Sequence, residues 1–180
     1  MNTILNRFPN FSAIIPVYAV ISFPIFSWTT IVWFWKLPYW LNFLTAGEIG
    51  SIFSYSMVAA FFESMVVISF LLLLCFILPA RIFRDRFVVR GTWLALGLTV
   101  AFLGSGVWRG FLGFSYIQFS LLSWSLASLL VILVFTIAAA RFRFMARVAE
   151  WLSDRLIVFL YILIPVSMLS IIVVFIRNIF

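Results

Sequence analysis

Residues 63–109, ESMVVISFLLLLCFILPARIFRDRFVVRGTWLALGLTVAFLGSGVWR, decide how this chain folds. From Ser64 to Ala80 the only polar side chains are two serines, and Thr92 to Trp108 carries no charge. Between them stand Arg81, Arg84, Asp85, Arg86 and Arg90. Each apolar run has 17 residues, near the lower limit for crossing a hydrocarbon core of about 30 Å at ~1.5 Å per residue. The stretch therefore reads as two membrane spans joined by a basic turn. Glu63 closes the first span and Arg109 the second. In a hairpin symmetric about the turn, these opposite charges would lie at the same depth and form an intramembrane polar pair. The simpler alternative is that Arg109 extends to the interface beside Trp108.

Composition agrees with this reading. Of 180 residues, 66% are hydrophobic and 9% charged. A soluble fold could not hide so much apolar surface, so the chain is expected to be one all-α transmembrane domain over residues 1–180. The net charge of +7 would suggest nucleic acid in a soluble protein. Here the arginines sit at the ends of apolar runs, where topology signals and anionic lipids are found, and no nucleic-acid partner is expected. With no histidine and a single cysteine, His-ligated haem, histidine general bases and His/Cys zinc sites are excluded from this chain alone. Cys75, deep in an apolar run, reads as a small core residue.

Five spans are expected, at about 11–35, 52–80 or 64–80, 92–108, 115–140 and 156–176. The first contains Pro16 and Pro24 and ends in an aromatic belt, Trp28, Trp33, Trp35, Tyr39 and Trp40, around Lys36. Residues 37–62 have two readings. Either they extend the second span to nearly 30 residues, or they include an interfacial or re-entrant segment with Glu63 at the outer edge. The cost of a carboxylate at the bilayer centre, roughly 2.5–3.5 kcal/mol, favours the second. In the third span Gly97, Ala101 and Gly104 share one face, with Gly106 and Gly110 on roughly the opposite one. Small residues so spaced let helix backbones approach closely, which places this span between neighbours and near the centre. Residues 141–155 read as an amphipathic segment on the membrane surface, with Trp151 at headgroup level.

The basic clusters orient the chain with its N-terminus in the cytoplasm and its C-terminus outside, in what we read as a prokaryotic plasma membrane. Arg81, Arg84, Arg86, Arg90, Arg141, Arg143 and Arg147 are expected to touch anionic headgroups. No phosphate-binding loop, His-Glu-x-x-His or G-x-S-x-G occurs. No catalytic role, cofactor or metal is expected, and nothing in the 20% aromatic content selects a quinone or carotenoid. The reading is a small non-catalytic multi-pass subunit that packs against and stabilises a larger membrane protein, or forms a homo-oligomer. The alternative is a transporter or lipid-handling protein using Glu63 and Arg109.

Overall fold

The computed structural model describes residues 9–78, 83–112 and 117–179, and their side chains except at 84, 103, 105–112 and 117–124. The described residues form five helices and no strands. In chain order these are α1 (Phe11–Trp40), α2 (Ala46–Ile77), α3 (Phe87–Leu112), α4 (Ile117–Ala139) and α5 (Arg143–Ile179), with a 3-10 turn at Arg84–Arg86 leading into α3. α1, α2 and α5, of 30, 32 and 37 residues, are long and apolar enough to cross a membrane. α3 and α4 contribute the shorter apolar stretches Phe87–Phe102 and Ser125–Ala139. The chain is a helical bundle of integral-membrane type.

α2 bears on the two readings of residues 37–62. It runs without a break from Ala46 through Ile77, which is the long-helix alternative. Its start is set by a capping box: the Thr45 amide donates to Glu48 Oε2 at 2.8 Å, and the Glu48 amide to Thr45 Oγ1 at 3.4 Å. Gly47 and Gly50 lie in its first turns. Glycine in a helix costs only about 1 kcal/mol, and a chain in lipid must satisfy its backbone internally, which opposes a break.

α5 is equally continuous. Residues 143–155 are its first turns rather than a separate surface helix. One seam runs its length through Ala149, Ser153, Leu156, Leu160, Leu163, Ser167 and Ser170. The alternating steps of four and three are those of helices packed along each other at a shallow angle.

α1 packs against α2, α3 and α5. Pro16, Val17, Ala19, Val20, Ile21 and Ser22 are all buried; at 100° per residue they cover every side of the helix. α1 is thus enclosed over this stretch, and α3 lies among α1, α4 and α5. The main core joins Val17, Val20 and Ile21 to Leu71 and Cys75 of α2, Leu94 of α3, Ile132 of α4 and Leu160 of α5.

Where helices meet, small hydroxyl residues bond back to their own backbone. Ser22 Oγ donates to the Tyr18 carbonyl, Ser64 Oγ to Phe61 and Ser167 Oγ to Leu163, all at 2.7–2.8 Å. A serine satisfied in this way is a small neutral spacer. Because Ser64 uses its proton on Phe61, the Tyr18 hydroxyl donates to Ser64 Oγ at 3.1 Å, joining α1 to α2.

Candidate functional site

Glu63 lies near the middle of the 32-residue α2. It is exposed, and so are Ala59, Val66, Phe70 and Ile77, which share its side of the helix. No described cation is in ion-pair contact with it. Arg109 belongs to α3, but its side chain lies outside those described, and so does the proposed pair.

The second locus is at the end of the bundle where α1, α3 and α5 begin. Their first turns surround a cleft of about 1050 Å³, lined by Asn10 just before α1, Ser12 and Ala13 of α1, Phe87 to Val89 of α3, and Arg143, Ala146, Arg147 and Glu150 of α5, with Asp85 and Arg86 from the 3-10 turn. Two contacts hold its walls. Arg86 Nη1 donates to the carbonyl of Ala140, just past the end of α4, where a cation is favoured by the helix dipole. Trp93 Nε1 donates to the Met145 carbonyl at 3.3 Å. Val89, Ala140 and Ala149 pack behind them with Trp93 and Ala146. Small side chains here let the two arginine-bearing segments, far apart in sequence, come together.

Of the seven arginines expected at headgroups, Arg86, Arg143 and Arg147 line this cleft. Arg141 is exposed outside it, and Arg90 is half-buried. Arg81 and the side chain of Arg84 lie outside the described residues. The sequence gives Asp85 and Glu150 no shared site, because nothing in either segment shows that they line one cavity.

The packing glycines divide in the same way. A Cβ added at Gly97 would stand 2.7 Å from Ile132 Cγ2 of α4. Ala101 is half-buried against the main core, and Gly104 is half-buried. The surroundings of Gly106 and Gly110 are not among the described side chains. Gly91, passed over in the sequence, faces Val17 of α1, with 2.9 Å left for an added Cβ. The missed capping box was legible as Thr45-Ala46-Gly47-Glu48. Among the described residues no three of Cys, Asp and Glu gather as metal ligands.

Fold and sites together define the class of an all-helical integral membrane protein. No protein-family model, curated protein or solved structure matches the chain.

Proposed function

We propose that this chain is a non-catalytic multi-pass subunit of a prokaryotic plasma-membrane complex, which docks through the outer face of α2 on a transmembrane helix of a larger protein. The observation that carries this reading is Glu63: a carboxylate midway along an apolar helix, exposed among Ala59, Val66 and Phe70. Charges in such positions are costly and are normally met by a partner. The occupant that fits is a helix presenting Arg or Lys at the depth of Glu63, with apolar residues above and below it.

The test is co-purification in mild detergent. Wild type is expected to bring one membrane protein at fixed stoichiometry. Glu63→Gln is expected to weaken its retention roughly tenfold, the worth of an interhelical polar contact of about 1–2 kcal/mol. Full retention by Glu63→Leu would end the proposal. So would a stable homo-oligomer that moves a solute in liposomes, the result the transporter alternative requires.

For orientation, we propose that the basic end, where α1, α3 and α5 start, faces the cytoplasm. In a Cys75→Ala background, Asn178→Cys should react with an impermeant thiol reagent added outside intact cells, while Phe144→Cys is shielded. Labelling of Phe144→Cys alone would invert the topology.

A further inference from the structure

We infer that the cleft between the first turns of α1, α3 and α5 holds the headgroup of a lipid whose phosphodiester leaves it net negative. This is independent of the docking face on α2. Two basic segments some sixty residues apart converge on one cavity, placing Arg86, Arg143 and Arg147 around it. Guanidinium groups are suited to phosphate because their planar N–H pairs meet two oxygens at once. A volume of about 1050 Å³ lies at the upper end of small-molecule sites, roomy enough for a glycerophosphate headgroup.

Position favours lipid over a free solute. The cleft opens at the end of the bundle, and the main apolar core begins within two turns of it, at Val17 of α1. A headgroup bound there would run its acyl chains along exposed apolar helix faces such as that of Val158 and Ile162 on α5. Charge narrows the choice of headgroup. Among the described lining residues, three arginines against Asp85 and Glu150 leave one net positive charge. That balance suits a singly anionic phosphodiester, whereas the two carboxylates do not by themselves compensate for the loss of a net charge in a zwitterionic lipid. The positive ends of three helices add to the attraction without changing its sign.

The experiment uses the full chain in mild detergent at physiological salt, with retention of phosphatidylglycerol or phosphatidylcholine of identical acyl chains read by native mass spectrometry. Phosphatidylglycerol should be retained preferentially. Arg143→Gln with Arg147→Gln should lower its retention about thirtyfold, at roughly fivefold per arginine, with helicity unchanged. Glu150→Gln, which removes a negative charge from the lining, should raise retention several-fold, a gain that a misfolded protein would not show. Arg155→Gln, outside the cleft with its guanidinium over Trp151, should change little. Equal retention of the two lipids, or an Arg155→Gln loss as large as that of the cleft variants, would overturn the proposal. So would binding of free glycerol phosphate with no retention of phosphatidylglycerol, which would make the site one for a soluble phosphate.

Discussion

Gly91→Val is expected to prevent the bundle from assembling, and Gly91→Ala to destabilise it by about 1–3 kcal/mol, the usual cost of overpacking. Gly91 lies in the first turns of α3, where that helix crosses α1. An added Cβ would meet Val17 Cγ1 at 2.9 Å and Cγ2 at 3.1 Å. Val17 is 0% exposed and belongs to the main core. Its β-branched side chain is held in essentially one rotamer within a helix, so turning it aside is not an easy remedy. The helices must instead separate, and α1 is the helix against which α2, α3 and α5 all pack. Unfolding in mixed detergent and SDS, followed by circular dichroism, measures the loss. Val17→Ala in the Gly91→Ala background should recover at least half of it. Gly47→Ala and Gly50→Ala are the controls, because a Cβ at either site meets nothing within 4 Å. A loss at those two positions equal to that at Gly91, or no recovery with Val17→Ala, would remove the close approach as the cause.

Gly97→Val is expected to release one helix rather than the whole bundle. The added Cβ of even Gly97→Ala would lie 2.7 Å from Ile132 Cγ2 and 3.0 Å from Cγ1, tighter than the contact at Gly91. The partner differs, however. Ile132 is on α4, which packs along α3 and has no comparably extensive contact with any other helix among the described residues. Displacing α4 leaves the seams among α1, α2 and α5 in place. Hydrogen exchange should therefore rise along residues 125–139 while α1 and the α5 seam keep their protection. Ile132→Ala should relieve much of the effect by removing the atoms that clash. Exchange rising equally in every helix, or in none, would show that α4 is not an independently displaceable unit.

These outcomes also mark where sequence stops being sufficient. Membrane insertion, helical class and the basic character of one end are local properties: uncharged runs such as Thr92–Trp108 must satisfy their own backbone in lipid, and only a helix does so within one segment. Gly97 as a packing position was legible too, since small residues at helical spacing have a direct steric meaning. The separate segments expected within 37–62 and at 141–155 give way to continuous helices for one reason. Glycine and charge weaken a helix by amounts of order 1 kcal/mol per residue, and a capping box or a continuous packing seam outweighs that.

Tertiary structure alone decided which helices meet and which charges are neighbours. The side chains of α1 from Val17 to Ser22 carry no sign that three helices close around them. Arg86 and Arg143 share a cleft only because Val89, Ala140 and Ala149 are small enough to bring their segments together. Glu63 shows the same division. Its charge and its place in an apolar run are plain in the sequence. That it faces outward rather than into the bundle depends on which side of α2 meets α1 and α5. The Ser64, Ile68, Leu71 and Cys75 stripe makes that contact because its small and apolar side chains fit the seam, and this leaves the carboxylate to one side of it, outside the contact.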